Sequence, residues 1–298
     1  MYLTRKSLTN AEELIIKEQR QFQIERLKAS PSLFVGGAVF LVILAVALLQ
    51  PVLPLADPNA MTVADRLTAP CSQYLLGTDE YGRDVLSRLV AGARVSLWVG
   101  GCVTLFSCAI GTVVGLLSSY FKVLDAVLMR ICDGLIAIPG ILLAIALIAA
   151  LGTSSWNVVI ALTVVYTSTV ARTVRASAMV VREQPYVEAA KAQGFGSLRI
   201  LVKMVLPGVL SSLLVQASFI FAQAIISEAA LSFLGAGIPA PAASWGNMLE
   251  ASRDVFSKAP WTMIVPGVSV VLCVLSLNLL GDGLRDFLDP RLKAGAKK

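Results

Sequence analysis

The sequence predicts an all-α integral membrane protein of six transmembrane helices, and three observations carry that expectation. Of its 298 residues 56% are apolar and only 15% charged, where a soluble domain carries about 25% charged residues. Stretches free of Asp, Glu, Lys and Arg recur along the chain, with room for the roughly 20 apolar residues that cross a bilayer. The basic residues gather on alternate connections between those stretches.

The first span is read at 33–49, ended by Pro51 and Pro54. It follows a charged segment of 32 residues and lacks a small-residue cleavage site, so it is expected to be retained rather than removed as a signal. The second span is 95–121. The uncharged run 134–171 has room for two spans, with GTSSWN (152–157) as the turn between them. The fifth is 204–234 and the sixth 259–281. This divides the chain into an N-terminal segment 1–32, a first span with an outer loop at 33–94, a five-helix membrane domain at 95–284 containing a polar loop at 172–207, and a tail at 285–298.

Orientation follows from charge. With the N-terminus inside, the inner segments 1–32, 121–133, 172–203 and 284–298 hold 19 of the 25 Lys and Arg residues. The outer segments 50–94, 152–157 and 235–260 hold the other six. Positive charge resists translocation, so both termini are expected in the cytoplasm. The same bias explains the net charge of +6 without a nucleic-acid partner.

Several chemistries are absent. The chain has no histidine, which removes the commonest general base and metal ligand, the Ser-His-Asp triad and the HExxH zinc site. No Gly-Lys dipeptide occurs, so the GxxxxGK[ST] loop that cradles nucleotide phosphates is missing. No cofactor and no metal site is expected, and the five cysteines read as small apolar fillers. Within the predicted spans only Glu228 is charged, whereas proton and ion relays usually use several ionisable groups. Glu228 lies 21 residues past Pro207, near the outer mouth of the fifth span at about 1.5 Å per residue. A structural or snorkelling role and a role in solute passage are both open for it.

The most informative stretch is PYVEAAKAQGFGSLRILVKMVLPG at 185–208. Pro185 suits the first turn of a short helix and Gly194 the position just past its end. Ala189, Ala190 and Ala192 leave that helix slender, with Glu188 and Lys191 beside them. Ser197 is expected to cap a second helix, with Arg199 and Lys203 on one face and Leu198, Leu201 and Val205 on another, before Pro207 turns the chain into the fifth span. The residues alone fit either an amphipathic connector on lipid headgroups or a surface made for close approach by a partner.

The spacing resembles a known signature. Glu188, Ala189, Ala190, then Gly194, then Met204, Leu206 and Pro207 match the Glu-Ala-Ala loop of ATP-binding-cassette importer permeases, with Met204 in place of the usual isoleucine. Three further segments are similar to the dipeptide, oligopeptide and nickel permease subfamily, in its C-type member: 75–100, 230–249 and 277–293. The middle one departs from the pattern, with Ala240–Pro241 and Ser244 where a Pro-Pro pair and an acid are usual. TDEYGRD in the first segment also reads as turn chemistry capping a helix near Asp84, with Arg88 on its polar face, or as a solute contact. The last segment reads as the end of the sixth span, loosened by Gly281 and Gly283, stopped by Pro290, with Arg285 and Asp286 at the interface.

The resemblance implies a type I importer permease fold in a bacterial inner membrane. It implies a non-catalytic subunit moving di- or oligopeptides, glutathione or nickel. The implied partners are a homologous second permease, two ATP-binding-cassette ATPase subunits and an extracytoplasmic solute-binding protein. Glu188, Ala189, Ala190, Lys191, Gly194, Leu206 and Pro207 would couple to the ATPases. Rival readings are a stand-alone secondary transporter or channel, a membrane-bound enzyme and an exporter domain.

Overall fold

The structure is a computed structural model, and it describes residues 31–288. The expectations for 1–30, for the tail from 289 and for Pro290 as a helix stop lie outside the described residues. Ten α-helices follow in order among the described residues: α1 Pro31–Leu49, α2 Val85–Tyr120, α3 Lys122–Ala137, α4 Gly140–Leu151, α5 Ser155–Arg182, α6 Pro185–Ala192, α7 Ser197–Ile200, α8 Leu206–Phe233, α9 Trp245–Ala251 and α10 Trp261–Leu288. The short α6 sits at one end of the bundle, between α5 and α8. The short α9 sits at the other, between α8 and α10.

Among the described residues, five helical rods are long and apolar enough to cross a bilayer, and α3 with α4 makes a sixth if the pair counts as one broken span. The first and fourth expected spans each fall within one continuous rod, and the fifth and sixth each match one rod except for Leu234 at the end of the fifth and Ala259 and Pro260 at the start of the sixth. The third departs from expectation. Its uncharged run begins inside α3, which turns through 95° into α4. The cause is local: Pro139 has no backbone N–H to donate, and its ring drives Ile138 out of the helical region, where Ile138 has φ −92° and ψ 131°.

Two boundaries also shift. α2 is 36 residues long because the capped segment at Asp84 runs without interruption into the second span. The expected loop 172–207 is mostly helical, since α5 continues to Arg182 and the α7–α8 rod begins at Ser197. That leaves 183–196 as the segment outside the rods. Buried Val174 and Ala178, and the ion pairs Arg172–Asp133 at 2.6 Å and Arg175–Asp125 at 2.5 Å to α3, hold the extra turns of α5.

The rods meet through small residues. Gly111 and Gly115 of α2 form a Gly-x-x-x-Gly face against α5. A Cβ on Gly111 would lie 2.6 Å from the Val170 Cβ, and one on Gly115 2.6 Å from the Ala171 carbonyl oxygen. Only glycine permits that approach, the usual way membrane helices gain dispersion energy where no hydrophobic drive exists between them. Around this seam lie three apolar clusters. One joins Val99, Val103, Ile148 and Leu162. A second joins Leu116, Val170, Val174, Val187, Ile200 and Val205. The third joins Leu97, Ile225, Trp245 and Leu277.

The connection 50–84 packs over the α9 end. Asp79 is its knot: its carboxylate accepts from the backbone N–H groups of Tyr81 (2.8 Å) and Arg83 (3.0 Å) and pairs with Arg83 Nε at 2.6 Å. Trp261 at the start of α10 donates its indole N–H to the Thr78 carbonyl, pinning the knot to the bundle. Nearby, Asp65 accepts from the Tyr74 hydroxyl at 2.9 Å, which pushes that phenol above its ordinary pKa.

Candidate functional site

The site expected from sequence is α6 and the turn that follows it. Pro185 stands in the first turn, where its missing N–H costs nothing. The helix ends in a complete Schellman motif: Gly194 N–H donates to the Lys191 carbonyl at 3.0 Å, and Phe195 N–H to the Ala190 carbonyl at 3.1 Å. That geometry needs a left-handed residue after the cap, and Gly194 supplies it with φ +79°.

α6 has two unlike faces. Val187 is fully buried in the cluster with Leu116, Val174, Ala178, Ile200 and Val205, which joins the helix to α2, α5 and the α7–α8 rod. Ala190 is 3% exposed and points the same way. Glu188, Ala189, Lys191, Ala192 and Gln193 are exposed, a thin ridge standing off the bundle. The slender face expected of all three alanines therefore belongs to Ala189 and Ala192, while Ala190 packs inward. Helical spacing accounts for this: 187 and 190 are three apart and share a side, and 188, 189 and 192 fall on the other.

The second helix differs from expectation in three ways. Ser197 is its first helical residue and not its cap; Gly196 takes the cap position, with no side-chain bond. Leu198 is 70% exposed and Ile200 is buried in its place. Pro207 does not turn the chain. α7, a π-helical turn at Leu201–Val205 and α8 form one rod, Ser197–Phe233. Leu206 N–H reaches back five residues to the Leu201 carbonyl, so the register widens just before the residue that cannot donate. Leu206 is half-buried and Pro207 exposed, at the start of α8 within that rod. Arg199 stacks its guanidinium 4.5 Å over the Phe195 ring, fixing the turn between the two helices.

Sequence reasoning missed the struts behind the ridge. Arg182 donates to the Ser119 carbonyl at the end of α2. Arg175 grips Asp125 with two bonds, 2.5 and 2.7 Å long. The signal was present as three arginines at 172, 175 and 182 and two acids at 125 and 133. Which residues meet depends on the break at Pro139, which nothing in the charge pattern records.

Glu228 is fully buried, contrary to a snorkelling role. Its carboxyl accepts from Ser96 Oγ of α2 at 2.9 Å and from Ser232 Oγ of α8 at 2.8 Å. Those two hydroxyls in turn accept the backbone N–H groups of Trp245 and Ile238, at 3.3 and 3.2 Å. One carboxyl thus ties α2, α8, the 234–244 connection and α9 together. Arg88 is likewise buried rather than on a solvated face, donating to the Pro58 carbonyl at 3.1 Å. Asp84 does cap α2, accepting from Ser87 N–H at 2.9 Å.

Comparison with known proteins places this geometry. Residues 108–294 match the family described as binding-protein-dependent transport system inner membrane component. A Brucella suis protein provisionally named a peptide transport system permease is 45% identical over 268 residues, 90% of each chain. The dipeptide transport system permease of Alkalihalophilus pseudofirmus is 40% identical, covering 91% of this chain and 89% of that one. The glutathione transport system permease of Pectobacterium atrosepticum is 40% identical, covering 92% and 90%. Among solved structures, a chain of the MetNI methionine ABC transporter in an inward-facing conformation superposes with a TM-score of 0.57 at 21% identity, covering 71% of this chain and 97% of that chain. That likeness supports the type I importer permease fold. The chain belongs to the binding-protein-dependent inner membrane components, as an ATP-binding-cassette importer permease similar to the dipeptide-type C subunits.

Proposed function

We propose that this permease moves peptides or a closely related small solute, and that it takes its energy from separate ATPase subunits gripping the α6 ridge. One observation carries the mechanical part. Glu188, Ala189 and Lys191 stand exposed on a helix whose opposite face, through Val187, is cemented to α2, α5 and the α7–α8 rod. A push on the ridge is therefore delivered to three spans at once. The rods then change between two packed arrangements, a two-state element biased from one end. Partners in this reading are a homologous second permease, two ATPases and an extracytoplasmic binding protein, with both termini and α6 in the cytoplasm. The solute class rests on the names of the relatives.

Glu228 has no place in an ion relay in this reading, because its oxygens are occupied by serine hydroxyls. The chain carries no GxxxxGK[ST] phosphate-binding loop, so ATP hydrolysis is assigned to the separate ATPase subunits. The test is reconstitution. The purified chain should show neither ATP hydrolysis nor stoichiometric ATP binding, and hydrolysis should appear when its ATPase subunits and second permease are added. Tight nucleotide binding by the isolated chain would overturn the division of labour.

A further inference from the structure

The exposed sides of the rods are mostly apolar and uncharged. On α2 and α10 they carry Leu105, Ile110, Val113, Val268, Val271 and Leu275, a surface suited to any lipid. One place differs. Where α1 ends and α5 begins, a groove of about 810 Å³ opens between α1, α2 and the start of α5. Leu44, Leu48, Leu97 and Phe221 give it apolar walls, and its polar groups are Gln50, Arg94 and Ser155.

Those polar groups share one end. Gln50 follows the last residue of α1 and Ser155 is the first of α5, so both stand where the rods leave the apolar layer. Arg94 reaches the same level, donating from Nη1 to Gln50 Oε1 at 3.2 Å. Two rings mark the boundary. Trp98, one turn along α2 from Arg94, meets Trp156 of α5 edge-on with centroids 4.9 Å apart, and both are exposed. Tryptophan gathers where hydrocarbon meets headgroups. Arg94 differs from Arg83, Arg88, Arg172 and Arg175, each of which faces an aspartate. Among the described residues Arg94 has no ion pair, and Gln50 is its one hydrogen-bond partner.

We infer that this groove binds an anionic glycerophospholipid, with its phosphate on Arg94 and its acyl chains along Leu44, Leu48 and Phe221. The placement of charge carries the argument. A cavity that is apolar along its length and cationic at one end is complementary to an amphiphile with an anionic head. A guanidinium offers phosphate oxygens a fork of N–H donors, and the carboxamide of Gln50 both donates and accepts beside it. A helix of another chain fits less well. Where rods of this chain pack closely they use glycine, as at Gly111 and Gly115, and no glycine lines this groove. A helix seated there would also cover a guanidinium that has no acid, which is costly. An ordinary lipid shell would fill the groove without regard to headgroup, and that difference is measurable.

The test is photocrosslinking in the assembled transporter, held in phosphatidylcholine nanodiscs. Two trace probes carry the same acyl-chain diazirine, one on phosphatidylglycerol and one on phosphatidylcholine, and the crosslinked peptides are mapped. Adducts on 44–50 and 91–98 should be about 3- to 10-fold more abundant with the phosphatidylglycerol probe, the effect of one basic residue on an anionic lipid. Adducts on the α10 surface at 268–275 should be equal for both. Arg94→Gln should bring the groove ratio down to that of α10, and Arg94→Lys should keep it raised. If Arg94→Gln does not assemble, the two probes on the natural chain and on Arg94→Lys still decide. Equal groove labelling by both probes would mean an ordinary lipid shell and would overturn the inference. So would a groove that neither probe labels while α10 is labelled, because a partner helix then fills it. A headgroup preference that survives Arg94→Gln would equally overturn it.

Discussion

Glu228 shows what a single residue's surroundings decide. Counting residues from Pro207 places it near one mouth of its span, but counting gives depth and not direction. Its direction depends on Ser96, 132 positions earlier in the chain, and no local pattern announces that pair. Because both carboxyl oxygens accept hydroxyls that themselves hold backbone N–H groups, the residue acts as a joint. Glu228→Gln keeps one acceptor and nearly the same shape, and its stability should be close to that of the natural chain. Glu228→Ala leaves Ser96 and Ser232 without their acceptor, at about 1–3 kcal/mol for each orphaned group. Thermal unfolding of the detergent-purified protein checks this, with Glu228→Ala melting clearly below Glu228→Gln. Equal melting of the two would show that the carboxyl is not holding the α9 end together. Ala189 and Ala190 give the same lesson on a smaller scale. The motif names both, and only the fold assigns one to the surface and the other to the interior.

At the scale of elements, prolines separate what was legible from what was not. The rods α1, α5, α8 and α10 follow directly from uncharged runs, since a chain in lipid must satisfy its backbone internally and helices do so. The turn at 152–157 was equally legible: Ser154 caps α5 and the Asn157 carboxamide donates to the carbonyls of Leu151 and Gly152. Prolines are ambiguous. Pro139 breaks a span by 95°, Pro207 is absorbed by a π-turn and Pro266 sits inside α10 without ending it. The difference lies in whether neighbours re-satisfy the freed carbonyls, which is a tertiary matter. The break at Pro139 sends α3 across α5, where two ion pairs secure it. Asp125 and Arg175 are about one-third exposed, so their coupling should be modest, about 0.2–1 kcal/mol. Asp125→Arg and Arg175→Asp should each lower transport, and the charge-swapped double variant should recover most of it. A double variant no better than the worse single one would show that the pair does not position α3.

Over the whole molecule, fold class was the most legible property because it is statistical. It depends on many residues pointing the same way. The ridge was legible as a motif, and its rigidity was not, since that comes from Val187 sharing one apolar cluster with Leu116, Val174 and Val205 of three other elements. Orientation has its own check. In a background without the five native cysteines, single cysteines introduced at Asn59 and Lys258 should react with impermeant thiol reagents in intact cells, and one at Lys191 only after permeabilisation; labelling of position 191 from outside would invert the topology.

The most direct test of the central claim is ATP hydrolysis by the reconstituted transporter in response to loaded binding protein, with Ala189→Trp in α6. The substitution adds bulk on the exposed ridge and leaves the buried contacts of Val187 and Ala190 untouched. Overpacking a close contact costs about 1–3 kcal/mol, enough to unseat an ATPase that docks there. The account predicts that Ala189→Trp inserts at normal level and loses the stimulated hydrolysis together with solute uptake, while Lys203→Ala keeps both. An Ala189→Trp transporter that hydrolyses ATP and moves solute at the natural rate would contradict it.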